Sequence, residues 1–172
     1  MRKIGIISDT HGYLDEKVFV HFADCDEIWH AGDIGTSHVV EQLEAFKPLK
    51  AVYGNIDGTE LRKSYPETAV FMCEEVKVMI HHIAGKPYTY LAAAKKLIIE
   101  HQPGILVCGH SHILRVEFDK KLQFLYLNPG AAGVHGFHKV KTLLRFKIDG
   151  QRIFDMEAIE LGPRAGKYSE ML

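Results

Sequence analysis

Short hydrophobic runs alternate with segments of helical spacing along the first two thirds of the chain. Runs of apolar and β-branched residues predict strands, whereas apolar positions three and four residues apart predict helices. The strands predicted in this part are residues 3–8, 27–30, 49–53, 68–73, 76–81 and 105–108. The helices predicted are residues 15–22, 37–46 and 88–101. Such alternation favours parallel strands joined by crossover helices.

The rest of the chain changes to an antiparallel pattern. Two hairpins are predicted there, formed by residues 114–118 with 122–127 and by residues 142–148 with 152–159. Asp149-Gly150, between the last two strands, is a strong signal for a two-residue hairpin turn. The sequence therefore combines a parallel β-α part with an antiparallel part.

Length places both parts in one globular unit. The chain has 172 residues, close to the size of about 150 residues that is usual for one domain. Two packed sheets with helices outside them would bury the apolar faces of this pattern. We therefore predict a single α/β domain over residues 1–160 and a C-terminal tail over residues 161–172.

Charge and cysteine content exclude several classes of protein. Lys and Arg total 21 against 22 Asp and Glu, a balance that argues against a general nucleic-acid binder or a basic membrane-surface protein. The three scattered cysteines form no disulfide framework and fit a reducing compartment. Neither a signal peptide nor a membrane span is predicted. We therefore expect a cytoplasmic protein with no membrane partner and no stable nucleic-acid complex.

Eleven histidines are the unusual feature of the composition, and several of them follow predicted strands together with Asp and Asn. The strand ends read Asp9-Thr10-His11, Gly32-Asp33, Gly54-Asn55-Ile56-Asp57, His81-His82 and Gly109-His110-Ser111-His112. Each motif alone is weak, but the four motifs other than His81-His82 would occur in this order by chance only about once in 10⁵ sequences. Because parallel strands end at one edge of a sheet, these side chains are expected to converge in one cleft.

The residue types in this series predict a metal centre. Carboxylate, amide and imidazole ligands without thiolate suit Mn, Fe, Zn or Ni, among which we expect Mn²⁺. Seven ligands are too many for one catalytic ion with an open position, and they suit two divalent ions about 3.5–4 Å apart. Asp33, central in the series, is the natural bridge between them. Such a site stays net positive and would attract a small phosphoester substrate.

The series resembles the signature of the calcineurin-like metallophosphoesterase superfamily, and the Asn128-Pro129-Gly130 that follows is similar to the small YfcE-like phosphodiesterase subgroup. The resemblance covers about residues 1–160. It implies a four-layer αββα sandwich of two mixed β-sheets flanked by helices. It also implies a phosphodiesterase in which a metal-bridging hydroxide attacks phosphorus in line.

The same resemblance assigns the ligands to two ions. One ion would be held by Asp9, His11, His112 and the bridging Asp33. The other would be held by Asn55, His82, His110 and the same Asp33, so that Asp33, Asn55 and His82 are also the expected catalytic residues. Asp57 would orient a ligand without binding metal, and His30 is expected to pack or to support Asp33.

Two positions depart from the family pattern. Two histidines stand at the fourth motif where one is usual; we assign the ligand to His82, with His81 as the alternative. Ile56 occupies the position at which larger relatives carry a histidine that protonates the leaving group, an effect typically worth about 10²–10⁴-fold. Its absence predicts slow turnover or activated leaving groups, unless His135 or His138 substitutes.

Other functions stay open on the sequence alone. A phosphomonoesterase or nucleotide phosphatase would use the same ligands. The superfamily also includes a retromer subunit that serves as a protein-binding scaffold with a degraded metal site, whereas all seven positions here carry competent ligands. A homo-oligomer is compatible with every observation above.

Overall fold

The structure, a computed structural model, describes residues 1–165 of the chain. Four helices lie within these residues: α1 Lys17–His21, α2 Ser37–Phe46, α3 Thr59–Ser64 and α4 Ala92–His101. Twelve strands lie in the same part of the chain: β1 Arg2–Ile7, β2 Glu27–His30, β3 Leu49–Ala51, β4 Thr68–Cys73, β5 Val76–His81, β6 Gly85–Lys86, β7 Thr89–Tyr90, β8 Ile105–Val107, β9 Leu114–Asp119, β10 Phe124–Pro129, β11 Val140–Asp149 and β12 Arg152–Pro163.

Two five-stranded mixed sheets form the centre of the molecule. Their strand orders are β12-β11-β1-β2-β3 and β4-β5-β8-β10-β9, and β6 pairs with β7 in a separate hairpin. Strands β1, β2 and β3 run parallel in the first sheet, as β5, β8 and β10 do in the second. The remaining pairs in these two sheets are antiparallel. The arrangement confirms the predicted α/β sandwich.

Alternating side chains of the central strands fill three apolar layers. Ile4 and Ile6 of β1 point into the core between the sheets, whereas Ile7 packs outward in a cluster that also includes residues of α1, α2 and α3. In β8, Leu106 packs outward beside Ile98 of α4. Because both faces of these strands are buried, their sequences read as continuous apolar runs. None of the four helices within residues 1–165 has the length and apolar character needed to span a membrane.

One predicted helix begins too early in the sequence, and one short helix was not predicted. The helix predicted from residue 88 begins at Ala92, because the preceding residues form the β6–β7 hairpin and Tyr88 has a φ of +70°, which no α-helix accommodates. The Tyr90 hydroxyl ties this hairpin to β9 by donating to Asp119 Oδ2 at 2.7 Å. The short helix α3 was not predicted, since its six residues bury only Leu61 and leave almost no apolar periodicity.

The last strand runs past the predicted end of the domain. The predicted hairpin joins β11 to β12, but its two turn residues are Gly150 and Gln151, since Asp149 pairs with Arg152. Strand β12 then continues to Pro163 with Leu161 buried. The boundary predicted between residues 160 and 161 therefore falls inside a strand. The rest of the predicted tail, from residue 166, lies outside the described residues.

A buried hydrogen-bond network joins the loops that follow β1 and β2. His30, at the end of β2, is fully buried; its Nδ1 accepts from the Gly32 N–H at 3.1 Å, and its Nε2 lies 3.0 Å from Thr10 Oγ1. The Thr10 hydroxyl donates in turn to the Ile34 carbonyl at 2.9 Å. The ring is therefore neutral, with its proton on Nε2, and burial lowers the pKa of His30 to about 4.

Replacing His30 should change the pH dependence of stability. An unfolded histidine titrates near 6.5 and this folded one near 4, so the unfolded chain binds one extra proton between these pH values. The free energy of unfolding of the wild type should therefore fall by up to about 3 kcal/mol as the pH drops through this window. His30→Gln should be less stable at neutral pH but should lose less stability on acidification, as measured by denaturant unfolding with a chelator present.

The exposed His38 on α2 provides the control for this measurement. His38→Gln should keep the wild-type dependence on pH. If His30→Gln lost stability on acidification as steeply as the wild type does, His30 would not be the neutral buried group described here.

Candidate metal centre

The carboxyl ends of parallel strands from both sheets meet at one edge of the sandwich. The loops after β1, β2 and β3 in the first sheet carry Asp9, His11, Asp33 and Asn55. The loops after β5 and β8 in the second sheet carry His82, His110 and His112. All seven residues predicted from the sequence as ligands are thus brought to this edge, where six of them form two compact clusters of possible metal-binding atoms.

Asp9, His11 and His112 form the first cluster. Their candidate ligand atoms lie within 4.8 Å of one another. Asp9 Oδ1 is 3.1 Å from His112 Nε2 and 3.9 Å from His11 Nε2. The other oxygen, Oδ2, accepts hydrogen bonds from the Ser8 hydroxyl and the His110 N–H. The carboxylate is therefore held by one oxygen while the other faces the two imidazoles.

Asp33, His82 and His110 form the second cluster, and Asn55 lies against it. Asp33 Oδ2 is 3.2 Å from His82 Nε2 and also 3.5 Å from His11 Nε2 of the first cluster. Asn55 Oδ1 lies 3.1 Å from His110 Nδ1. Asp33 therefore stands between the two clusters, in the position expected of a bridging ligand.

Several buried polar atoms of the two clusters are unsatisfied. Asp9 Oδ1, His11 Nε2 and His82 Nε2 have no hydrogen-bond partner within residues 1–165. Leaving such an atom unpaired costs about 1–3 kcal/mol, so buried polar atoms are seldom left alone. Ligand atoms at about 2.0–2.2 Å from one ion lie roughly 3–4 Å apart. The carboxylate–imidazole separations within each cluster, 3.1 and 3.9 Å in the first and 3.2 Å in the second, fall in this range. The residues present therefore fit metal ions at this edge.

The backbone of the clusters adopts a rare conformation. Five of the seven residues have positive φ: Asp9 at +53°, His11 at +45°, Asp33 at +53°, His110 at +69° and His112 at +60°. The left-handed region is uncommon for residues other than glycine and costs on the order of 1 kcal/mol each. Such a concentration of strained residues is typical of functional sites, where surrounding contacts enforce the geometry.

Charge interactions keep both carboxylates ionised. Burial opposes ionisation of Asp9, but the approach of His112 and the charge of His82 outweigh it and hold the pKa of Asp9 below its usual value. For Asp33 the effect of burial is likewise outweighed, mainly by His82, and its pKa is also lowered. Burial would lower the pKa of His82, yet Asp33 and Asp9 raise it. The charged form of His82 supplies positive charge that a bound cation could supply in its place.

His82, rather than His81, faces the clusters. Its Nδ1 donates to the Ala31 carbonyl at 2.7 Å, which fixes the ring with Nε2 directed at Asp33. His81 points elsewhere, with its Nδ1 2.8 Å from Thr68 Oγ1 on the neighbouring strand. A hydrogen bond on one ring nitrogen is the usual means of orienting the other for a metal.

The Asp57 carboxylate binds backbone N–H groups and not the side chains of the proposed metal ligands. Its two oxygens accept from the N–H groups of Ile34, Gly35 and Gly54 at 2.8–3.1 Å. These bonds join the loop that carries Asp33 to the loop that carries Asn55. Gly54 is required here, because a Cβ at this position would overlap the Asp33 carboxylate.

Three supporting residues were not predicted from the sequence. Asn128 belongs to the Asn-Pro-Gly sequence that resembles the YfcE-like subgroup. Its side chain donates to the Gly109 carbonyl and to Ser111 Oγ, and so it holds the turn that carries His110 and His112. Arg62 donates to the carbonyls of Asn55 and Asp57. Arg164, within the predicted tail, donates to the His138 carbonyl. The Asn-Pro-Gly sequence was the one available signal; nothing local marks the two arginines.

A cleft of about 510 Å³ opens above the clusters, and the loop that follows β10 forms one wall of it. The ring of His135 lies 4.8 Å from that of His11. The His138 ring lies 5.1 Å from that of His112, with its Nε2 2.8 Å from the Gly133 carbonyl. Ile56 also lines the cleft, so the position that lacks the family histidine faces the space where a substrate would bind.

Comparison with known proteins agrees with this geometry. Residues 2–151 match the family model of the calcineurin-like phosphoesterase superfamily domain. A probable metallophosphoesterase from Methanothermobacter thermautotrophicus is 31% identical over 168 residues, which cover 92% of this chain and 92% of the relative.

Solved structures share the fold at lower identity. The structure of a novel archaeal phosphodiesterase superposes with a TM-score of 0.74 at 22% identity, and the match covers 92% of this chain and 99% of the archaeal one. Vps29 from Chaetomium thermophilum superposes with a TM-score of 0.72 at 17% identity, covering 95% of this chain and all of its own. The match to the family model and the relative of the same length show that this chain belongs to the calcineurin-like phosphoesterase superfamily, as the strand-end motifs predicted.

Proposed function

We propose that the protein is a dinuclear metal-dependent phosphodiesterase. The observation that carries the proposal is the position of Asp33, which contacts both clusters, together with three buried ligand atoms of these clusters that lack hydrogen-bond partners in the described chain. One ion would be held by Asp9, His11, His112 and Asp33. The other would be held by Asn55, His82, His110 and the same Asp33.

The ligand set matches the chemistry of phosphoester hydrolysis. Two bound divalent ions would supply an activated hydroxide and Lewis-acid stabilisation of the phosphoryl oxygens. The protein contributes only two carboxylates, Asp9 and Asp33, and the remaining ligands are neutral when they bind metal. The centre therefore keeps a net positive charge that favours binding of an anionic phosphoester.

The walls of the cleft favour a substrate whose leaving group needs little help from an acid. Ile56 carries no proton to donate at the position where larger relatives have a histidine. Among the cleft histidines outside the ligand set, His135 is exposed and could take this role, since the Nε2 of His138 is occupied by the Gly133 carbonyl. Unless His135 donates this proton, activated diesters, such as aryl phosphodiesters, are the substrates that the site favours.

The scaffold alternative has one observation in its favour, the shared fold with Vps29 from Chaetomium thermophilum. A fold at 17% identity carries no information on activity. Catalysis is supported instead by the complete set of candidate ligands and by the buried ligand atoms that have no hydrogen-bond partner in the described chain. A phosphomonoesterase would use the same centre, and the ratio of diester to monoester hydrolysis distinguishes the two activities.

The purified protein should bind two divalent ions per chain, Mn²⁺ being the expected metal and Fe, Zn or Ni the alternatives. Asp33→Asn should lower this number and reduce phosphodiesterase activity by at least about 100-fold, because it weakens the ligand shared by both ions. Metal analysis of dialysed protein and hydrolysis of a chromogenic diester provide the two readouts. Asp24→Asn, an exposed carboxylate remote from the cleft, should retain both properties. Full metal content and activity in Asp33→Asn would refute the bridging role.

Metal-loaded protein should hydrolyse bis(p-nitrophenyl) phosphate at least about tenfold more efficiently than p-nitrophenyl phosphate, because the proposed activity is that of a diesterase. Both substrates release the same activated p-nitrophenolate, so the missing acid at Ile56 does not affect the comparison. A chelator should abolish the activity, and added Mn²⁺ should restore it. His112→Ala should be inactive, whereas His101→Ala, on α4, should resemble the wild type. A preference for the monoester would favour the phosphatase alternative; loaded protein that cleaves neither would favour the scaffold.

Asp57→Asn should weaken metal binding by about 10–100-fold, the usual effect of losing a group that orients ligands. The amide cannot accept all three N–H bonds that Asp57 accepts, so the loops of Asp33 and Asn55 should separate. Titration of metal-free protein by calorimetry measures the affinity, and circular dichroism confirms the fold. An unchanged affinity in a folded variant would show that Asp57 has no role in positioning the ligands.

A further inference from the structure

The cleft above the clusters has a polar floor and a partly apolar rim. Three large hydrophobic side chains line it: Ile56 is 47% exposed, Ile113 is 65% exposed and Phe137 is fully exposed. Each lies within a loop that also carries or covers a residue of the centre. Single exposed hydrophobic residues are common on protein surfaces, but three around one concave site mark a place where apolar groups bind.

The loop that presents Phe137 is held in place at both ends. The Gly133 N–H donates to the Asp9 carbonyl at 3.1 Å, and Arg164 donates through Nε to the His138 carbonyl at 2.8 Å. Gly136 packs so closely on His112 that a Cβ there would overlap the imidazole. The phenyl ring of Phe137 is therefore carried by an anchored loop directly beside the centre, although none of the described residues covers it.

The charges of the lining residues narrow the class of ligand. No lysine or arginine is among the residues of the described chain that line this cleft. Cations line two neighbouring cavities instead. Lys86 and Arg115 lie in one of about 390 Å³ beyond Ile113, where Arg115 is paired with Glu117. Arg62 lies in one of about 270 Å³ beyond Asn55, where it already donates to the carbonyls of Asn55 and Asp57. The walls are therefore suited to an uncharged group, and the polar floor to a single phosphoryl group.

We infer that one ester substituent of the substrate is an apolar group of aromatic size, which packs against Phe137, Ile113 and Ile56. This inference rests on the proposed function, because the phosphoryl end of the ligand has to be held by the metal centre. The substrate class is thus a phosphodiester with one apolar or aromatic substituent and no second anionic group. The cleft, at about 510 Å³, is within the range of roughly 300–1,000 Å³ usual for sites that enclose such molecules.

Competitive inhibition by simple phosphonates tests the inference. Because their substituent is joined to phosphorus by a P–C bond, they have no leaving group, and their affinity reports only on binding. Methylphosphonate, phenylphosphonate and phosphonoacetate present the same phosphoryl group with a small, an aromatic and an anionic substituent. With Mn²⁺-loaded protein, at a pH where the phosphonate groups are dianionic, phenylphosphonate should bind about tenfold more tightly than either of the others.

Variants of Phe137 show whether the ring contact is responsible. Phe137→Ser should reduce the preference for phenylphosphonate over methylphosphonate to about twofold or less, and Phe137→Leu should keep most of it. Phe118→Ala removes a half-exposed phenylalanine on β9, outside the cleft, and should keep the whole preference. These substitutions change exposed side chains, so the metal content should stay at the wild-type value.

The outcomes separate the two proposals. Equal binding of methyl- and phenylphosphonate, or a preference that survives Phe137→Ser together with Ile113→Ser, would overturn the inference and leave the metal centre intact. Tighter binding of phosphonoacetate would also overturn it, in favour of an anionic substituent. If none of the three phosphonates bound to metal-loaded protein, the proposed function itself would fail.

Discussion

Two carboxylates are buried where the edges of two sheets meet, and the cost of burying their charge governs the rest of the site. Asp9 is fully buried and Asp33 is nearly so, yet both keep a lowered pKa. A buried carboxylate stays ionised only when positive charge or hydrogen-bond donors surround it. The surrounding imidazoles and backbone N–H groups meet part of this need, and bound cations would meet it in full. The architecture of this edge therefore favours metal binding.

Much of the fold serves to hold these charges in place. Each carboxylate is anchored by one oxygen, Asp9 through Ser8 and the His110 N–H and Asp33 through the Ile56 N–H, which leaves the other oxygen directed at the clusters. His82 is aimed in the same way by the Ala31 carbonyl. The cost of so many left-handed residues is offset by these bonds together with the packing of the two sheets. The stability of the folded chain and the geometry of the centre are thus coupled.

The sequence predicted the parts of this centre that depend on local pattern. Apolar runs ending in Asp9, Asp33 or His110 mark strand ends, and parallel strands bring such ends together, so the residues of the site could be named in advance. The pairing of Gly5 with Arg145 across 140 residues of sequence has no local signal, and neither does the division of the strands between two sheets. Arg164 lies in the segment predicted as a tail. Its hydrogen bond to the His138 carbonyl joins residues that are distant in sequence, so no local pattern predicts it.

An anomalous-difference electron-density map from crystals of Mn²⁺-loaded protein tests the central claim most directly. The account predicts two peaks about 3.5–4 Å apart, one on either side of the Asp33 carboxylate, the first beside His11 and His112 and the second beside His82 and His110. One peak, or peaks that do not contact Asp33, would contradict a dinuclear centre bridged by this residue.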